Sequence, residues 1–229
     1  MAMSRNKRVR RIGLATLALA TATLAACQPP RPKTAPPSPV VVEQAKSSGW
    51  LSFANPADRS RIARVAVAWT QGLAEARAGH RESIAAEGVL LKPGAGLPRP
   101  APTPGSYSCK LVTLGRDKGR SPSFERYKPF FCYVEVEGTL FTIVKQTGSQ
   151  RPAGRLWEDD VNTRLIFLGT LALGNEDEAR AYGDDPKRDM AGIFERIAPF
   201  RWRLVIPFPQ DGAKLDVFEL TPVADQPTP

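Results

Sequence analysis

Cysteine and histidine are the side chains best suited to covalent or metal chemistry, and this chain of 229 residues has three cysteines and one histidine. A zinc site takes three or four ligands, which His80 and the two cysteines Cys109 and Cys132 cannot supply once those cysteines are bridged. Neither a C-x-x-C spacing nor a neighbouring histidine marks the pair as redox-active or metal-binding. The sequence therefore predicts a structural disulfide between Cys109 and Cys132, worth about 3 to 4 kcal/mol, and no metal or cofactor.

Acidic residues form three clusters in which a pair of carboxylates could act as acid and base in glycoside hydrolysis. Each cluster falls where a turn is expected, and Asp and Glu in turns are usually solvated or bonded locally. A carboxylate-dependent glycan hydrolase is therefore the least favoured of the functions that the sequence suggests. The clusters are Glu158, Asp159 and Asp160; Glu176, Asp177 and Glu178; and Asp184, Asp185 and Asp189.

Basic residues concentrate in the segment Arg116–Lys128, between the two cysteines. Such a patch speeds encounter with an anionic lipid or an acidic partner, although many basic loops serve only solubility. Nucleic-acid binding is not expected. The candidate partner-surface residues are Arg116, Lys118, Arg120, Arg126 and Lys128, with Arg151 in a second loop.

The N-terminal segment has the order of a secretory signal. Five basic residues precede a mostly apolar stretch, Ile12–Ala26, which ends in two alanines. Its fifteen residues are fewer than the ~20 that a membrane-spanning helix needs. Residues 1–26 are therefore predicted to be a removable signal, and they account for more than half of the formal net charge of +9.

The residues LAAC, Leu24–Cys27, resemble the lipobox of bacterial lipoproteins. This resemblance implies cleavage before Cys27 and acylation of that cysteine, and several acyl chains make membrane attachment effectively permanent. Gln28 is not the Asp that favours inner-membrane retention in such lipoproteins. The expected location is the cell envelope, at the periplasmic face of the outer membrane, where an oxidising compartment permits the disulfide.

Residues 27–49 are predicted to be a tether, because six of the thirteen residues from Gln28 to Val40 are proline. One globular domain is expected over 50–223, followed by a disordered tail at 224–229. Within it, residues 50–92 are predicted to be helical. The proline-rich segment 93–105 is either an interdomain linker or a strap lying on the domain, and 106–223 form a sheet.

Helical periodicity begins at the sequence NPAD, where Asn55 can cap a helix and Pro56 suits its first position. Apolar residues from Ile62 to Ala76 then share one face, and Gly79 is placed to end the helix, with His80 just beyond it. A second, shorter helix is predicted over Arg81–Leu91.

From Tyr107 onward the period changes to alternation, which predicts about eight short strands joined mostly by hairpins. Such a meander can close into a barrel that removes exposed edges. The expected fold is α+β and mainly antiparallel β: a helix or two, then a barrel-like, lipocalin-resembling sheet or a strongly twisted open one. The strands are predicted at Tyr107–Leu114, Phe130–Val136, Leu140–Gln146, Ala153–Trp157, Arg164–Leu171, Met190–Ile197, Trp202–Ile206 and Lys214–Leu220.

Several motifs together with the LAAC sequence resemble an alphaproteobacterial, chiefly sphingomonad, family of envelope lipoproteins that is known as a domain of unknown function. The motifs are Tyr107 with Cys109, TGSQR from Thr147, the series from Tyr182 to Ile197, RWRLVIPFP from Arg201, and LDVFELTP from Leu215. The resemblance covers about Trp50–Val223 and implies no activity, cofactor or catalytic residue.

These observations favour a lipid-anchored binding or scaffolding module without catalytic activity, whose partner is an envelope protein, a lipid or a glycan. The alternative is a small barrel that carries an apolar ligand, because eight strands can enclose a cavity of that size.

Overall fold

The computed structural model describes residues 49–116, 122–174, 176 and 179–224. Within these ranges, three helices and a short 3-10 helix come first, and nine strands follow. The signal segment, Cys27 and the proline-rich tether up to residue 48 lie outside the described residues. So do Lys118, Arg120, Asp177, Glu178 and residues 225–229.

The helices are α1 Gly49–Phe53, α2 Pro56–Ala63 and α3 Val65–Glu87, followed by the 3-10 helix Gly88–Leu91. Asn55 caps α2 as predicted, with its Oδ1 accepting a hydrogen bond of 2.8 Å from the Asp58 amide. The predicted helix end at Gly79 and the predicted second helix are confirmed. The backbone leaves the helical conformation at His80 (φ −135°, ψ 35°), where two helical segments meet in a kink, and the second segment continues to Glu87. The His80 ring stacks on Phe124. Within the described part of the chain, no helix is long and apolar enough to cross a bilayer.

The strands are β1 Gly105–Arg116, β2 Phe124–Arg126, β3 Phe130–Glu137, β4 Leu140–Lys145, β5 Gln150–Glu158, β6 Leu165–Leu173, β7 Asp189–Ala198, β8 Arg201–Pro207 and β9 Ala213–Pro222. Each neighbouring pair is antiparallel, and β9 pairs with β1 over nearly the whole length of β1. The result is a closed eight-stranded barrel, which confirms the predicted fold class. Strand β2, which was not predicted, is an extra strand on the C-terminal half of β1.

Alternate residues of each strand fill the barrel interior. The interior cluster includes Tyr107, Phe167, Phe194, Trp202 and Leu204, all almost fully buried. Gly154 and Gly169 lie opposite each other on β5 and β6. A Cβ atom on Gly169 would come within 2.3 Å of the Ala153 carbonyl oxygen and 2.5 Å of the Phe167 ring. These glycines therefore make room for large side chains inside a narrow barrel.

The helices cover the outside of the barrel. The stripe Ala68, Trp69, Leu73 and Ala76 of α3 packs on outward residues of β1, β8 and β9. Trp50, Ala54 and Ile62 pack on β6 and β7.

The proline-rich segment between the 3-10 helix and β1 is a strap on the barrel. The Leu97 amide donates to the Arg196 carbonyl (2.8 Å), and Trp202 Nε1 donates to the Pro100 carbonyl (3.1 Å). Arg196 donates in turn to the carbonyls of Pro98 and Arg99.

Candidate functional site

One end of the barrel interior is polar and open, and we call it the barrel mouth. It is defined by the inward side chains of Leu111, Thr113, Lys145, Asp216 and Phe218, which come from β1, β4 and β9. A cavity of about 100 Å³ enters the barrel here, beside an open cleft of about 450 Å³. The mouth thus combines an apolar floor with a small number of polar groups, which is the composition of most ligand sites.

Asp216 is a carboxylic acid held inside the protein. It takes an inward position on β9, two residues before Phe218, and its Oδ1 accepts a hydrogen bond of 2.5 Å from Thr113 Oγ1. Burial raises the pKa of Asp216 to about 7, and repulsion from Asp211 adds to the rise, while the Thr113 hydrogen bond opposes it. Near neutral pH both the protonated and the ionised form are therefore populated, so Asp216 can donate or accept a hydrogen bond.

Lys145 is a half-buried cation at the end of β4, on the same side of the strand as Ile143. Among the described residues no carboxylate lies within ion-pair distance of it, and its Nζ lies 4.3 Å from the centroid of the Phe130 ring. Burial lowers the pKa of Lys145. Buried charges are normally paired because desolvation is costly. Lys145 therefore lacks the anionic partner that a cation partly removed from water normally has.

The apolar floor of the mouth consists of Leu111, Leu171, Met190 and Phe218. Deeper in the barrel, the space between Ile143, Phe167 and Leu204 is only about 10 Å³. An apolar group can therefore rest against the floor, but the interior has no room for a long acyl chain.

The cysteine prediction is confirmed: Cys109 and Cys132 form a disulfide with a Cα–Cα distance of 6.0 Å. Both residues belong to the interior cluster on β1 and β3. The bridge is thus part of the barrel core, where it closes the chain between the two strands.

The basic candidates are mostly engaged within the chain itself. Arg116 Nη2 donates to Asp211 (3.0 Å) and to the Tyr127 hydroxyl (2.9 Å). Arg126 pairs with Glu87, and burial would raise the pKa of Glu87, but hydrogen bonds from Lys110 and Arg126 hold it below its usual value. Arg151 donates to backbone carbonyls, including that of Leu173. Only Lys128, among the described candidates, lies exposed on the cleft of the mouth.

The described acidic clusters hold turns together rather than forming one reaction site. Asp159 accepts from Arg164 (2.5 Å) and from Trp50 Nε1 (3.2 Å). Glu176 pairs with Arg188. No group of three or more potential metal-ligating side chains occurs in the part of the chain that the structure describes.

A buried hydrogen-bond network joins the start of α2 to β7. Tyr182 donates to Asp58 Oδ2 (2.6 Å), and Asn55 Nδ2 is within hydrogen-bond distance of both Asp58 (2.8 Å) and Asp189 (3.1 Å). Burial raises the pKa of Tyr182, and burial and the nearby Asp58 raise that of Asp189. Sequence reasoning missed the network because it unites residues more than a hundred positions apart.

Arg203 faces out of the barrel, as the alternation of β8 predicts, yet it is 0 % exposed. Its Nε donates to Glu195 (2.7 Å), and its Nη1 donates to the carbonyls of Leu90 and Lys92 (both 2.8 Å). Its guanidinium lies over Trp69, 5.0 Å from the ring centroid. The outward face of β8 is therefore covered by protein, not water, and burial lowers the pKa of Arg203.

Fold and site together define a small antiparallel barrel with a filled interior and one polar mouth. A family model described as domain of unknown function (DUF4893) matches residues 50–220, and the chain belongs to this family. The match extends from α1 to β9 and so includes every residue of the mouth. Neither the curated proteins nor the solved structures contain a significant match.

Proposed function

We propose that this chain is a lipid-anchored envelope protein that faces the periplasm and binds a small anionic ligand at the barrel mouth, without catalysing a reaction. The signal-like N-terminus and the LAAC sequence before Gln28 support the anchor and the compartment. The disulfide supports an oxidising compartment as well.

The observation that carries the ligand proposal is Lys145. A cation that is partly removed from water and has no carboxylate partner in the described chain is completed by an anionic group from outside. Thr113 and Asp216 line the same mouth, and they offer a hydroxyl and a carboxyl group, respectively, to further polar atoms of the ligand.

The floor of the mouth limits the rest of the ligand. Leu111 and Phe218 provide apolar contact, but the packed interior admits only a short apolar group. The expected ligand is therefore a small amphiphile with a carboxylate or phosphate head. A barrel that encloses a long apolar ligand is less well supported than one that holds a ligand at its opening.

Isothermal titration calorimetry of the purified full chain with octanoate and with octyl phosphate tests the proposal. We expect saturable binding of at least one probe, and weakening by about tenfold or more in Lys145→Met, equivalent to at least ~1.4 kcal/mol. Lys92→Met is the matched control, since Lys92 is exposed and lies outside the mouth. Equal binding by Lys145→Met and the unsubstituted chain, or binding of neither probe, would contradict the proposal.

The anchor is tested separately, by mass spectrometry of the protein purified from membranes of its own host. We expect a mature N-terminus at Cys27 that carries acyl groups, and Cys27→Ser should leave the precursor uncleaved. A bare Cys27 thiol in the native product would refute the anchor without bearing on the ligand site.

A further inference from the structure

We propose a second binding site, on the outer face of the barrel, that takes a neutral saccharide. This outer groove is defined by Phe53, Glu135, Thr142, Arg155 and Trp157, with the loop 179–182 as one wall. Its volume of about 480 Å³ falls within the range of small-molecule sites, about 300–1,000 Å³. The groove and the mouth use opposite faces of β4, where Val144 lines the groove and Lys145 lines the mouth.

An aromatic pair supplies a platform in the groove. Phe53 is 62 % exposed, although it packs against Trp157 with ring centroids 4.5 Å apart. Exposed aromatic rings offer large, rigid apolar faces at low cost in side-chain entropy. The C–H face of a sugar ring is a flat apolar surface of matching size.

Two polar groups along the groove have no hydrogen-bond partner among the described residues: Thr142 Oγ1 and Trp157 Nε1. Thr142 is only 8 % exposed. A buried polar atom without a partner costs about 1–3 kcal/mol. A ligand whose hydroxyl groups form hydrogen bonds with these two atoms would remove that cost.

The charges of the groove are balanced, in contrast to the mouth. Arg155 donates to both carboxylate oxygens of Glu137 (2.7 and 3.1 Å). The groove also contains one more acidic residue, Glu135, and one more basic residue, Arg180. A balanced rim does not favour a strongly charged ligand. Planar carboxylate and guanidinium groups instead present paired acceptors and donors, which fit the neighbouring hydroxyls of a sugar.

Calorimetric titration of the full chain with chitotetraose and with maltotetraose, both uncharged, tests this site. We expect at least one to bind with a Kd of about 1 mM or tighter. Phe53→Ala and Trp157→Phe should each weaken that binding by about tenfold or more. Thermal unfolding curves recorded alongside should show that both variants fold.

Two variants separate this site from other effects. Phe200→Ala removes another exposed aromatic ring, outside the groove, and Lys145→Met alters only the mouth. Both should bind the saccharide as the unsubstituted chain does. Binding of neither sugar, unchanged binding by Phe53→Ala, or preference of the groove for a proline-rich peptide, which aromatic grooves also hold, would overturn the proposal.

Discussion

Two buried ionisable side chains, Arg203 and Asp216, show how the surroundings of a side chain determine its charge state. Arg203 keeps its charge because Glu195 and two backbone carbonyls surround it. Asp216 has one hydroxyl partner, and the nearby carboxylate of Asp211 disfavours its ionisation further. Arg203 therefore stabilises the fold, whereas the Asp216 carboxyl group remains available to bind a ligand.

Asp216→Asn should change how stability depends on pH. The carboxyl pKa is about 3.9 in an unfolded chain and about 7 in the fold, so between these values the folded state retains a proton that the unfolded state has lost. The unsubstituted chain therefore loses stability as pH rises from about 4 to about 7, by up to about 4 kcal/mol. The Asn variant lacks this loss, so its stability relative to the unsubstituted chain should grow across that range.

Urea unfolding of both proteins at a series of pH values measures this difference. The other charged groups that influence Asp216, which are Asp211, Arg116 and Glu125, are the same in both proteins and cancel in the comparison. Parallel pH profiles would show that Asp216 ionises with an ordinary pKa.

Arg203→Met should destabilise the protein by about 3–5 kcal/mol, because it leaves Glu195 and the carbonyls of Leu90 and Lys92 without their donor. Arg155→Met is the matched control: its ion pair with Glu137 is exposed, and exposed ion pairs contribute little to stability. Equilibrium urea unfolding compares the two. Similar small losses for both variants would show that the buried guanidinium is not a structural centre.

At the scale of elements, alternation of apolar residues predicted the eight barrel strands within a few residues of their bounds. Alternation works here because each strand places one face in a single closed core. Strand β2 was missed because Phe124–Arg126 is too short to show a period and lies within a segment that reads as a basic loop. The predicted helix end at Gly79 corresponds to the kink at His80, beyond which the second helical segment packs on the barrel through Ile84.

The mouth was harder to predict, because its residues come from strands that are distant in sequence. A signal was nevertheless present: Lys145 follows Phe141 and Ile143 at the inward positions of β4, and Asp216 precedes Phe218 at those of β9. A charged residue at an apolar position of the alternation marks either a mouth or a buried ion pair. Alternation alone cannot distinguish them, because it does not show which faces of the barrel other elements cover. Arg203, for example, lies on a face that alternation predicts to be solvated, yet it is buried.

Gly169→Ala should destabilise the barrel by about 3 kcal/mol or more, because the added methyl group meets backbone atoms of β5 that cannot move independently. Gly79→Ala is the opposite case: nothing lies within 4 Å of its added Cβ, and within a helix alanine is favoured by about 0.5–1 kcal/mol. Thermal unfolding of the two variants should therefore shift in opposite directions. A tolerated Gly169→Ala would mean that β5 and β6 can separate at this point.

At the scale of the whole molecule, the N-terminal helices pack directly on the outside of the barrel. The network of Asn55, Asp58, Tyr182 and Asp189 fastens α2 to β7, while Arg203 fastens the 3-10 helix and the strap to β8. The strap is also bonded to residues of the barrel interior, since Trp202 Nε1 donates to the Pro100 carbonyl and the Tyr107 hydroxyl donates to the Thr103 carbonyl.

The disulfide links this architecture to the proposed compartment. Cys109 and Cys132 are 23 positions apart, and closing such a loop stabilises a fold by about 3 kcal/mol on the chain-entropy model. We expect dithiothreitol to lower the free energy of unfolding of the unsubstituted chain by about that amount, and to leave the Cys109→Ala/Cys132→Ala variant unchanged. If thiol titration confirms reduction and the stability does not fall, the bridge is dispensable. If the protein from its native host carries both thiols free, the oxidising compartment, and with it the envelope location, would have to be abandoned.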